Sequence, residues 1–318
     1  MGDPNRLLDV SDRRLEGRSI VLLLVLTLLW GITFPALKVA LRGFPPILLS
    51  GFRFLLAGVL FIPLCGLRGA PLVRGTQGTR LHLVIYALAG ALGVILLPIG
   101  VKHTLANRGS ILFNTSPFWV LVLGIFLLPG DRLTLNKWMG TGLAFFGVLL
   151  LFTGGGDLDP GASHFGDGLV LGAAIVWGFR IVFLKHFPSQ TRTETIQVWQ
   201  FLIAGPILIA LGLAFENIRD IHLDGSVIVS FFYLAVVSNA VGFFLWTYLV
   251  QREVATKVAP FMFLSPVFGV MASSAILGER ITGQILLSLG LVGIGIVLVN
   301  WQRTRGKPDL NGIYRITH

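Results

Sequence analysis

Charge is what this chain has least of. Only 13% of its 318 residues are charged, about half the share a soluble domain carries. So few charges cannot solvate a globular surface of this size. Acids are scarcer than bases, 15 against 25, and all are expected in loops, tails or span ends. Cysteine is almost missing. The single Cys65 excludes an intramolecular disulfide and, at the end of an apolar run, reads as a buried inert thiol. The six histidines are scattered, and none stands at metal-ligand spacing from a cysteine or carboxylate, so no metal or other cofactor is expected. No HExxH pair, GxSxG elbow or GxxxxGK[ST] loop occurs, which argues against an enzyme. Gly290, Gly293 and Gly295 lie in an apolar run with no strand before it, a helix-packing pattern. The net charge of +10 comes without a basic stripe interleaved with aromatics, so no nucleic-acid partner is expected.

What fills the space is apolar length. The chain is 54% hydrophobic, with a mean hydropathy of +0.81. Ten runs have about the twenty residues needed to cross hydrocarbon: 19–40, 46–65, 81–101, 110–128, 135–152, 168–187, 195–215, 226–250, 255–277 and 282–299. The expected fold is an all-α integral membrane protein in contact with the lipid bilayer. The first run is too long for a signal peptide and has no small-residue cleavage site, so it counts as a retained span. With the N-terminus inside, the outer loops hold only Arg42, Lys102, Arg108, Arg219 and Arg280, and Lys38, Arg53 and Arg180 fall within spans. The remaining bases lie on the inner side. That bias predicts two cytoplasmic termini, and a loop at 154–167 with three acids and no base agrees.

The second half of the chain repeats the first. Trp30-Gly31 and Lys38 recur as Trp177-Gly178 and Lys185, at an offset of 147. Ser116-Pro117 recurs as Ser265-Pro266, Asp131-Arg132 as Glu279-Arg280, and Gly142 and Gly147 as Gly290 and Gly295, at 148 or 149. Five spans per unit is an odd number, so the units must be inverted, the construction expected of a secondary transporter.

A charge at the bilayer centre costs about 2.5–3.5 kcal/mol on insertion scales, and such groups usually face a cavity. Arg53 and Arg180 are the candidates. Either they meet an anionic group of a substrate, or Arg180 snorkels to the interface and Arg53 bonds neighbouring carbonyls. Lys38 and Lys185 read better as snorkelling anchors. No carboxylate is expected within the membrane, which points to facilitated diffusion, exchange or coupling through the cations. Pro117 and Pro266 are expected to break the fourth and ninth spans and free carbonyls. Matched breaks in two halves point to a binding site, which brings in Ser116, Ser265, Asn114 and Asn239, unless these only satisfy the freed carbonyls. Trp30 and Trp177, mid-span rather than in the headgroup belt, either line a cavity or pack against the glycines that follow them.

Trp30-Gly31-x-x-Phe34, Arg53, Ser116-Pro117, Gly130-Asp131-Arg132, and again Ser265-Pro266 with Gly278-Glu279-Arg280-Ile281, resemble the EamA branch of the drug/metabolite transporter superfamily. The likeness runs from about Ile20 to Trp301. The first repeat departs from the pattern, with Asp131 for Glu and Pro129 inserted before Gly130. The resemblance implies ten transmembrane helices in two inverted five-helix repeats in the bacterial inner membrane, often exporting amino acids and related metabolites. It divides the chain into a tail (1–18), a first EamA-like repeat (19–153), an outer linker (154–167), a second repeat (168–301) and a tail (302–318). The Gly-Glu-Arg turn looks like a helix-end device.

The expected activity is therefore secondary transport of a small-molecule substrate, an amino acid or metabolite, by alternating access. A homodimer is compatible with the sequence. Trp30, Phe34, Arg53, Asn114, Ser116, Trp177, Arg180, Asn239 and Ser265 are expected to line the site. The alternatives are an organic-anion or nucleotide-sugar exchanger, for which the ninth and tenth spans lack interior bases, and, further off, a membrane enzyme or scaffold.

Overall fold

The computed structural model describes residues 17–70, 77–127, 163–184, 187, 191–252 and 264–300, with 139–140, 142–143, 145–147 and 149–150. Helix α1 spans Gly17–Ala40, α2 Pro46–Arg68 and α3 Arg80–His103. Two shorter helices follow, α4 (Ala106–Phe113) and α5 (Ser116–Leu127). Then come α6 (His164–Phe183), α7 (Thr193–Phe215) and α8 (Gly225–Phe232). A π-helical segment, Tyr233–Val241, joins α8 to α9 (Gly242–Arg252). Last are α10 (Leu264–Leu277) and α11 (Gly283–Asn300).

Among the described residues, six stretches are long and apolar enough to cross a membrane: Gly17–Ala40, Pro46–Arg68, Arg80–His103, His164–Phe183, Glu194–Phe215 and Gly225–Trp246. At about 1.5 Å per residue the shortest reaches roughly 30 Å. The burial pattern combines exposed apolar side chains with buried polar ones. Val59, Leu60, Leu213, Val229, Leu286 and Leu287 are exposed, whereas Ser50, Thr104, Asn107, Gln200 and Ser273 are buried. Polar groups face other helices because lipid offers them no partner.

Helix ends are finished by side chains from distant elements. Pro46 opens α2 at a position where a missing N–H costs nothing. The next N–H groups, of Ile47 and Leu48, donate to the Glu216 carboxylate at 2.9 and 2.8 Å. Glu279 does the same for α4, accepting from Ala106 at 2.8 Å and Asn107 at 2.9 Å. Gly278, at φ 69°, ends α10 in the left-handed region that glycine favours. The Gly-Glu-Arg turn thus closes one helix and caps another. Asp224 caps α8 through Val227, and its bonds to the Ser226 hydroxyl and the Val227 N–H hold its carboxyl below the usual carboxylate range. Replacing Glu279 by Ala should cost about 1–2 kcal/mol in thermal unfolding in detergent, with part recovered by Glu279→Gln.

Glycines set the helix crossings. Gly58 of α2 packs on Leu202 of α7, and Gly205 of α7 packs on the backbone of Leu55. Gly58 and Gly205 are 147 apart, as are Leu55 and Leu202, so the two contacts exchange under the repeat offset. Gly31 of α1 is pressed against Phe268 and the Ser265 carbonyl of α10. Gly178 of α6 is pressed against Trp119 and Val120 of α5. Each Trp-Gly glycine is therefore a crossing point with a helix of the other half.

Several expectations change. The fourth span is not one kinked helix. It stops at Phe113, turns at Asn114 and Thr115, and restarts at Ser116, with Pro117 in the first turn, where its missing N–H breaks no intrahelical bond. Ser265-Pro266 lies in α10, near the first of its described residues. The sixth helix begins at His164 rather than Gly168, which draws Asp167 into it. Arg108, expected in an outer loop, is in α4 and buried. The eighth span carries the π-helical segment. Half of the fifth span, Asp131, Arg132 and Lys185 lie outside the described residues.

Candidate functional site

The two repeated tryptophans meet around one ring. Trp30 of α1 lies edge-on to Phe243 of α9 at 6.0 Å, and Trp177 of α6 lies 6.1 Å from the same ring. The chain of rings continues from Trp177 to Phe113 of α4 at 5.9 Å, and from Phe113 to Phe34 of α1 at 5.9 Å. Trp246 packs on Trp30 at 5.7 Å. These separations suit offset or edge-to-face pairs, each worth about 0.5–1.5 kcal/mol beyond area burial.

The π-helical segment supplies the polar side of this cluster. The Trp30 indole N–H donates to the Ser238 carbonyl at 3.3 Å, and the Thr33 and Ser238 hydroxyls lie 2.8 Å apart. Tyr233 donates to the Leu29 carbonyl at 2.7 Å. The buried Asn239 has no partner for its Nδ2. A π turn shifts the hydrogen-bond register and turns backbone carbonyls toward neighbours, a device common at functional sites.

Two guanidiniums behave differently from the rest. Arg108 is paired with Asp167, and Arg68 and Arg192 stand 3.4 and 3.7 Å from Glu194. Arg180 and Arg53 are 2% and 3% exposed, and among the described residues neither has a carboxylate partner. Arg180 stacks over Tyr86 of α3 at 4.2 Å and over Trp177 at 4.9 Å, and its Nη2 donates to Gln200 Oε1 of α7 at 2.5 Å. Arg53 lies 5.7 Å from the Phe54 ring. The Nε of each has no partner. Ser50 donates to the Val94 carbonyl at 2.9 Å. Arg53 is one turn further along α2, so it stands level with the α3 segment on which Arg180 rests.

The expected residues thus divide. Trp30, Phe34, Trp177 and Arg180 come together, and Arg53 reaches them through Phe54, Phe201 and Phe243, whose rings are 5.1 and 5.8 Å apart in turn. Asn239 lies beside Ser238, and the buried Ser265 opposes Gly31. The Asn114 amide donates to the Ser110 carbonyl at 2.8 Å, and the Thr115 hydroxyl donates to the Leu112 carbonyl at 2.6 Å. The carbonyls at the break are satisfied locally. Ser116 is buried at the start of α5. Lys38 is anchored at the end of a neighbouring helix. It donates to the carbonyls of Val101, at 2.9 Å, and Thr104, closing the end of α3. Tyr86, Phe113, Tyr233 and Phe243 were not singled out in the sequence. The offset could have found the first and third, since Tyr86 and Tyr233 are 147 apart.

An opening of about 490 Å³ lies elsewhere. It is lined by Phe44, Phe52, Leu55, Leu56, Val59, Ile221, Leu223 and Phe231, apolar throughout and without a cation. It shares no lining residue with the ring cluster or its arginines.

The profile of the EamA-like transporter family matches this chain twice, at residues 17–153 and 164–301. The "Probable amino-acid metabolite efflux pump" of Escherichia coli (strain K12) is 30% identical over 288 residues, covering 87% of this chain and 93% of that protein. The "Uncharacterized transporter YvbV" of Bacillus subtilis (strain 168) is 29% identical over 300 residues, covering 94% and 96%. A solved crystal structure superposes with a TM-score of 0.64 at 18% identity, covering 89% of this chain and 96% of that one, a likeness of fold. These relatives are transporters by name, not enzymes, and the apolar helices make this a multi-pass membrane protein in a lipid environment. With matches across both halves, the chain belongs to the EamA-like transporter family.

Proposed function

We propose that the chain is a ten-helix secondary transporter of two inverted repeats, both termini cytoplasmic, exporting amino acids or related metabolites. The two profile matches and the exchange of Gly58–Leu202 with Gly205–Leu55 support the repeat. The bias of Lys and Arg supports the orientation. The name of the Escherichia coli relative supports the substrate class. A single observation carries the site: an unbroken series of rings from Phe34 and Phe113 of the first half to Trp177 and Phe243 of the second, with Arg180 stacked on its edge.

In this reading the apolar part of a solute lies against the tryptophans, and Arg180 and Arg53 attract its anionic group. Rocking of the two halves about α2 and α7 exposes the site to either side. Asn239 and Ser265 complete the lining, while Asn114 and Ser116 finish the helix break. The buried carboxylates Asp167 and Glu194 are engaged by arginines, which supports exchange or facilitated movement over proton coupling.

Efflux from proteoliposomes loaded with single amino acids tests the site. Trp177→Ala and Arg53→Ala should each lower the rate about tenfold at equal reconstitution. Rates equal to wild type in both would remove these residues from the mechanism. Abolition of efflux by collapse of a pH gradient would remove uncoupled movement.

A further inference from the structure

Gly90 of α3 lies beneath an unusual pair of donors. A Cβ at that position would stand 3.3 Å from Gln200 Nε2, 3.4 Å from Arg180 Cζ and 3.5 Å from Arg180 Nε. Both nitrogens are buried without a hydrogen-bond partner, in residues that are 1% and 2% exposed. Gln200 spends its carbonyl oxygen on Arg180 Nη2, which turns its NH₂ to the same side as the guanidinium. Tyr86 and Trp177 lie against the guanidinium, which favours planar recognition along its edge.

We propose that Arg180 and Gln200, over Gly90, form a carboxylate subsite, and that the carboxylate rather than an amine is what the transporter recognises. This rests on the reading of the ring cluster as the solute site. A buried charge left unpaired costs stability unless a counter-ion arrives, and an edge of N–H donors matches a planar carboxylate. Phosphate, carrying more charge on a tetrahedral centre, fits a stacked single guanidinium less well. The adjoining rings of Trp177, Phe113 and Phe243 take an apolar arm. The buried carboxylates of the described residues are engaged elsewhere. Among the described residues, Asp167 and Glu194 face arginines, and Glu216 and Glu279 cap helices. N-acylated or otherwise amine-free carboxylates with an apolar arm should therefore bind as well as free amino acids.

The test uses the full chain in detergent, with binding read from thermal shift and tryptophan fluorescence. The probes are L-leucine and L-phenylalanine, their N-acetyl derivatives, their methyl esters, and inorganic phosphate. Acids and N-acetyl acids should bind saturably, and the esters and phosphate at least tenfold more weakly. Arg180→Ala and Gly90→Ala should each weaken the acids at least tenfold. Gln200→Glu supplies an internal counter-ion, so it should abolish acid binding while unfolding at or above the wild-type temperature, which separates loss of the subsite from loss of the fold. Arg219→Ala, on the exposed surface, should leave binding unchanged. Binding of no acid, esters or phosphate as tight as the acids, or normal acid binding by Gln200→Glu would overturn the subsite. Tight binding of N-acetyl acids with none of free amino acids would uphold it and overturn the amino-acid reading above.

Discussion

Asp167→Ala is expected to cost about 3–5 kcal/mol of stability, the penalty for leaving a buried ion pair with one partner. Asp167 is fully buried and Arg108 is 4% exposed. The carboxylate accepts from the Thr104 hydroxyl at 2.5 Å, from Arg108 Nε at 3.4 Å and from Arg108 Nη2. Removing it takes away the carboxylate charge that faces a buried guanidinium. Asp167→Asn keeps the shape and an acceptor for Thr104 but removes the negative charge opposite Arg108, so it should fall between wild type and the alanine variant.

The cost belongs to the unpaired charge rather than to a lost attraction. Desolvating two ions nearly cancels their Coulomb gain, so an apolar pair of similar volume should be tolerated. Arg108→Met combined with Asp167→Leu is expected to recover most of the loss, a non-additivity of at least 2 kcal/mol in a double-mutant cycle. Equilibrium unfolding in mixed micelles reads both. A single variant within 1 kcal/mol of wild type, or a double variant as unstable as the sum, would remove the pair as a keystone between α4 and α6.

What could be read from the sequence was what depends on length and repetition. Apolar runs announce spans because crossing hydrocarbon is a requirement on length. The Trp-Gly pairs announced themselves because both halves kept them, and both tryptophans do reach one cluster around Phe243. The pair of Arg108 and Asp167 was hidden by a separation of 59 residues and by a Gly/Asp-rich stretch that looks like loop up to Asp167 itself. The π-helical segment was hidden too, since no proline or glycine interrupts Tyr233–Val241. Gln200 stood out only as the residue aligned with Arg53. Gln200, the α7 residue that corresponds to Arg53 of α2, instead accepts a bond from the buried Arg180 of α6. That arrangement is three-dimensional and leaves no mark in spacing.

Gly31→Val and Gly178→Val are each expected to reduce transport to background. At Gly31 a Cβ would sit 2.7 Å from Phe268 Cβ, 2.9 Å from the Ser265 carbonyl oxygen and 3.0 Å from the Gly269 nitrogen. At Gly178 it would sit 2.8 Å from Trp119 Cβ and 3.1 Å from both the Trp119 carbonyl carbon and the Val120 nitrogen. Most of these neighbours are backbone atoms or a Cβ, which cannot swing aside as a side-chain tip can, so the helices themselves must part. Overpacking of this kind costs about 1–3 kcal/mol, and close approach through small residues is what holds helices together in lipid. The functional loss should exceed the stability loss. Gly31 and Gly178 directly follow Trp30 and Trp177, so displacing either helix pulls one tryptophan off Phe243 and opens the ring series between the halves. Gly142→Val is the control, because no described residue lies within 4 Å of a Cβ there, and it should transport normally. Efflux at equal reconstitution, beside unfolding temperature in detergent, separates the two effects. Wild-type efflux by Gly178→Val would mean that the crossing of α5 and α6 tolerates the added bulk and does not set the geometry of the site.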